Sequence, residues 1–97
     1  MAQYVTLASW TDQGVRNAKE SVQRADQVRQ LVQQLGGTMH TLYWTQGRYD
    51  LIAITEAPDD ETLAAISLRI AALGNVRTET LRAFTAEEMQ RVVQQLG

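Results

Sequence analysis

The sequence predicts an α+β fold: one four-stranded antiparallel sheet, two helices on one of its faces and a further helix at the C-terminus. Three observations predict it. Short runs rich in β-branched and aromatic residues recur four times, and two of them flank a glycine turn. Two longer segments repeat apolar residues at three- and four-residue steps, the period of a helix face. These segments follow one another as β-α-β-β-α-β, with one more helical segment after them. The chain has 97 residues, so a single domain over residues 1–97 is expected.

The first strand covers residues 3–10, from Gln3 to Trp10, with rough alternation. Thr11-Asp12-Gln13-Gly14 is a turn able to cap a helix. A helix is expected over 15–35, where Val15, Ala18, Val22, Ala25, Val28, Val32 and Leu35 form one stripe. Gly36-Gly37 ends it. Residues 38–45 form the second strand, Gln46-Gly47 the turn, and residues 48–56 the third strand. Ala57-Pro58-Asp59-Asp60 opens a second helix over 59–73, with its acids at the N-terminal end that the helix dipole favours. Gly74-Asn75 stops that helix, and residues 76–84 form the fourth strand. Thr85 followed by Glu88 is a capping box, opening a last helix with Met89, Val92, Val93 and Leu96 apolar.

This order is the split βαβ, ferredoxin-like pattern. Right-handed crossovers place strands 1 and 3 in the centre, giving the order 4-1-3-2. Counting alternate positions assigns Val5, Leu7, Leu42, Ile52 and Ile54 to the helix-covered face. Tyr4, Thr6, Ala8, Trp10, Met39, Thr41, Tyr43, Tyr49, Leu51, Ala53 and Thr55 then fall on the other face. Val76, Leu81 and Phe84 keep no single parity, which points to a bulge in strand 4. A half-apolar, aromatic face left uncovered by helices predicts a homodimer packed sheet to sheet.

Composition excludes several classes. With no cysteine there are no disulfides, thiolate metal sites or cysteine nucleophiles. His40 is the sole histidine, so multi-histidine metal sites are excluded, and no cofactor is expected. Eleven acids against nine bases leave a net charge of −2, without the basic footprint of nucleic-acid binding. No apolar run reaches the roughly 18 residues that would span a bilayer. No secretory pattern opens the chain, so a cytoplasmic location is expected.

One end of the sheet gathers Trp10, Asp12, Gly14, Tyr43, Trp44, Arg48, Tyr49, Asp50, Asn75 and Arg77. Within it, Gly47-Arg48-Tyr49-Asp50-Leu51 resembles the Gly-x-Tyr-Asp turn that gives the GYD-domain family its name. The resemblance extends nearly the full length, through Thr11-Asp12-Gln13-Gly14, Ala57-Pro58-Asp59-Asp60, Gly74-Asn75-Val76-Arg77-Thr78 and Phe84-Thr85. It implies a fold similar to the dimeric α/β barrels. That group includes effector-binding domains of leucine-responsive regulators, cofactor-independent monooxygenases and stress-responsive barrel proteins. Fold similarity alone does not transfer function.

The candidate ligand-binding residues are Trp10, His40, Tyr43, Arg48, Tyr49, Asp50 and Arg77, and each has a structural alternative. Asp50 binds an amine or acts as a base, or else caps the hairpin, accepts N–H groups at the first helix or pairs with Arg77. Tyr49 and Tyr43 reach a ligand in the dimer or pack across the interface. His40 serves an oxygenase cavity or is a surface histidine. Trp10 and Trp44 wall a pocket or pack. Arg48 and Arg77 hold a carboxylate or phosphate, or are solvated near acids. The expected function is a non-catalytic, homo-oligomeric small-molecule-binding or assembly domain. The alternative is a small cofactor-independent monooxygenase or isomerase, which needs a cavity lined by His40, Tyr49 or Asp50. A third reading is a subunit that binds a second chain.

Overall fold

The computed structural model describes residues 1–97. Its strands are β1 (Ala2–Trp10), β2 (Thr38–Trp44), β3 (Leu51–Ala57) and β4 (Val76–Ala83). Its helices are α1 (Asp12–Arg16), α2 (Ser21–Gln34), α3 (Asp60–Ala72) and α4 (Ala86–Gln94). The sheet runs β2-β3-β1-β4, the expected order read from its other edge, and every neighbouring pair is antiparallel. No helix is long and apolar enough to cross a membrane.

The single helix expected over 15–35 is broken into α1, a 3-10 turn at Ala18–Glu20 and α2. Thr11 starts it early, its hydroxyl accepting the Gly14 N–H at 3.1 Å. Gly14 is buried against the loop before β4. A Cβ there would lie 1.9 Å from the Asn75 carbonyl oxygen, so only glycine permits the approach. That contact fixes α1 to the end of the sheet, and the chain turns at Asn17 before α2 crosses the strands. Arg24 spans the break by donating to the Asn17 carbonyl at 2.8 Å. Val15 and Val22, expected in the apolar stripe, are consequently exposed.

On β1 and β3 the two sheet faces are the reverse of the expected assignment, whereas Thr41 and Tyr43 of β2 lie on the uncovered face as expected. The core beneath α2 and α3 joins Tyr4, Met39 and Ala57 of the sheet to Val32, Leu63 and Ile66 of the helices. Ala8, Ala53 and Thr55 are buried in the same strand parity. Val5, Leu7, Ile52 and Ile54, expected under the helices, alternate with these and occupy the open face. Both alternating sets are apolar, so hydrophobicity does not choose between them. What distinguishes them is size: Ala8, Ala53 and Ala57 leave room for the helix layer.

The bulge expected in strand 4 lies instead in β2, between Met39 and Thr41. It leaves His40 as the extra residue and brings Met39 and Leu42 to the same face. Leu42 is therefore against the helices as expected, although the parity that predicted it is broken.

α4 carries the expected capping box, with Thr85 and Glu88 bonded reciprocally. Its Met89, Val92, Val93 and Leu96 are all exposed.

Candidate functional site

The Gly-x-Tyr-Asp turn joins β2 to β3. Gly47 has φ of +116°, a conformation open to glycine and strained for other residues. Around it, the Thr45 N–H donates to the Asp50 carbonyl at 2.8 Å and the Thr45 hydroxyl to the Tyr49 carbonyl at 2.7 Å. Asp50 then ties this hairpin to the central strand. Its N–H donates to the Ala8 carbonyl at 2.8 Å, and its carboxylate accepts the Trp10 N–H at 2.8 Å. The β1–β3 pairing ends at Ala8 and Leu51, so the carboxylate supplies the Trp10 amide with the acceptor that β3 no longer offers. Of the structural alternatives for Asp50, this one links strands, reaching neither α1 nor Arg77.

Tyr49 crosses β1 on the open face and donates its hydroxyl to the Glu79 carboxylate of β4 at 2.8 Å. That hydrogen bond, followed by partial desolvation, raises the pKa of the phenol above its ordinary value. The Arg48 guanidinium stacks over the same ring, 5.6 Å from its centre. Tyr43 stands exposed on the open face beside Ile52. Arg77 pairs in register with Ser9 and borders a shallow polar cleft with Asp12 and Gln13. Trp10 turns to the helix side of the sheet, where it lines an apolar cavity. Trp44 donates its indole N–H to the Ser21 hydroxyl at 2.7 Å.

His40 stands apart from this group. It lies near the other end of the sheet, where its Nε2 is 2.9 Å from the Glu56 carboxylate. The structure thus gathers Trp10, Asp50, Tyr49, Arg48 and Arg77 around one sheet end, with Tyr43 on the adjoining open face. The apolar cavity, of about 110 Å³, lies between sheet and helices, and His40, Tyr49 and Asp50 do not line it. No group of three or more histidine or acidic side chains is placed to hold a metal ion.

Sequence reasoning missed Glu79 and Glu56 as partners of the two singled-out side chains. Glu79 shares its face with Arg77 and Leu81 along β4, a period-two signal that places it on the open face opposite Leu7. No comparable signal exists for Glu56, because the bulge sets the position of His40.

The open face itself is the larger feature. Its central rows are Thr41-Ile54-Val5-Leu81 and Tyr43-Ile52-Leu7-Glu79, running across all four strands. No helix covers them, and Tyr43 is 64% and Leu81 49% exposed.

The GYD-domain family model matches residues 4–93. A Thermus thermophilus protein named glutamine synthetase and cystathionine beta-lyase binding protein is 30% identical over 90 residues, covering 92% of this chain and 95% of that one. A crystal structure from the same organism superposes with a TM-score of 0.57 at 27% identity, over 89% of this chain and 96% of that one. MtbAldR superposes with a TM-score of 0.69 at 15% identity, over 87% of this chain and 52% of its own, so the chain spans about half of that protein. FFRP-DM1 gives 0.58 at 20% identity, over 87% of this chain and 100% of its own. At those identities the last two likenesses concern the fold alone.

Proposed function

The chain belongs to the GYD-domain family, and from that premise we propose that it is a non-catalytic, self-associating binding domain, folded as one unit over residues 1–97. In this reading two copies pack open sheet face to open sheet face and close a dimeric α/β barrel. The observation that carries it is the aliphatic row Ile54-Val5-Leu81 with Ile52 and Leu7 beside it, spread over three strands without a helix to cover it. Apolar patches of this kind on a chain without membrane-spanning helices are association surfaces.

What the dimer binds is read from its rim. Tyr43, Arg48, Tyr49 and Arg77 border the open face at one sheet end and offer aromatic and guanidinium contacts, the residue types that anchor interfaces. Trp10 and Asp50 support that end from within. His40 offers a separate contact near the opposite end. The name of the Thermus relative, a binding protein for two enzymes, supports a protein as the bound partner rather than a reacting substrate. A cytoplasmic place of work fits the same reading. The oxygenase or isomerase alternative needs a cavity lined by His40, Tyr49 or Asp50, and the cavity within one copy is lined by none of them.

Native mass spectrometry of the protein purified from its source tests this reading. The expected result is an even multiple of 10.9 kDa, with or without a retained second chain. A 10.9 kDa monomer at micromolar concentration overturns it.

A further inference from the structure

The helix side of the sheet holds a feature that self-association does not use. α2 and α3 meet the sheet at different strands, α2 over β2 and α3 towards β3 and β4, and touch each other only sparsely. Beneath the seam between them lies the cavity of about 110 Å³. Its floor is Ala8 and Ala53, two small side chains on the central strands, and Val28, Ile66 and Ile70 line it from the helices. The seam leaves this space partly open between the helices, which gives a small molecule a way in.

We propose that this cavity is a binding site for a compact, neutral, apolar molecule of about the size of a single aromatic ring. Three observations set the ligand class. Fourteen of the 21 lining residues are hydrophobic. Every fully enclosed side-chain nitrogen and oxygen has a hydrogen-bond partner, the lining carries no acid, and its few hydroxyls, among them Thr55 and Ser67, are neutral. The one cation on the lining, Arg24, already donates to the Asn17 carbonyl at 2.8 Å and lies 3.8 Å from the Glu20 carboxylate. An anionic ligand would therefore have to displace existing partners. Apolar cavities of about 150 Å³ stay dry and accept benzene or xenon. This site lies across the sheet from the open face, so it stands or falls independently of the dimer.

Benzene is the probe, followed by amide NMR on the full chain. Saturable shifts are expected at Ala8, Ala53 and Ile66, together with a raised melting temperature, because the ligand binds only the folded state. Ala53→Met, which fills the floor, weakens binding at least tenfold while leaving the oligomer mass unchanged. Ser67→Leu fills the same space from α3 and keeps the test decisive if Ala53→Met does not fold. The proposal is overturned by three results: no saturable shift up to the solubility limit of benzene, equal binding in a folded filled variant, or shifts confined to Val5, Leu7, Ile52 and Ile54.

Discussion

Asp50→Ala separates a structural role for the Gly-x-Tyr-Asp turn from a purely ligand-binding one. The Asp50 carboxylate accepts the part-buried Trp10 N–H at 2.8 Å, beyond the last residue pair of β1 and β3. A hydrogen bond to a charged group contributes about 1.5–3 kcal/mol, and its loss here also strands the amide. Alanine therefore costs about 2–3 kcal/mol. Asp50→Asn keeps an acceptor oxygen without the charge and costs about half as much. Tyr49→Phe removes an exposed hydrogen bond to Glu79 and stays within about 0.5 kcal/mol of the parent. Urea denaturation at one fixed protein concentration reads all three, since the stability of any self-associating chain depends on concentration. With a slope of about 1–3 kcal/mol per molar urea, the Asp50→Ala midpoint falls by about 0.7–3 M. An Asp50→Ala midpoint equal to those of Tyr49→Phe and the parent would refute this role, because the carboxylate would then not hold the hairpin to β1.

Gly14→Ala drives a Cβ to 1.9 Å from the Asn75 oxygen, so backbone must move; a loss of about 1–3 kcal/mol is expected in the same urea assay. A parent-like midpoint would contradict the close packing of α1 on the loop before β4. Tyr4 is buried and donates to Asp60, and burial first, then that bond, push its phenol from 10.0 up to about 12. The folded state thus holds this proton more tightly than the unfolded chain. Its contribution is complete below pH 10 and is lost as pH rises towards 12. Tyr4→Phe should flatten the decline of stability over that window, and an unchanged decline would count against the assignment.

Much of the fold was legible because local chemistry decides it. Thr11 and Thr85 cap helices as their positions predict, Asp59 caps the helix whose N-terminal acids announce it, and the order of apolar periods leaves one economical topology. Three features were not legible, each for a physical reason. The sheet faces were reversed because both parities of β1 and β3 are apolar, and the space beneath the helices, not hydrophobicity, selects the alanine-bearing one. The bulge at His40 carries no glycine or proline to announce it. The break after α1 follows from a contact with Asn75, about sixty positions away, which no periodicity reports. At the candidate site, the turn glycine and the placing of Asp50 beside it were readable. Their partners, the Trp10 amide and Glu79, appear only when β1 and β4 come together. The reversal strengthens the case for association, since Val5, Leu7, Ile52 and Ile54 now lie on the uncovered face.

Sedimentation equilibrium of the parent and of Ile54→Glu tests self-association through the open face most directly. Ile54 is central in the row Thr41-Ile54-Val5-Leu81. A carboxylate buried there without a partner costs about 3–5 kcal/mol of association, at least a hundredfold in the dissociation constant. Association through this face predicts a parent mass of at least twice 10.9 kDa and a folded Ile54→Glu variant at 10.9 kDa. A monomeric parent, or an Ile54→Glu variant that keeps the mass of the parent, would contradict it.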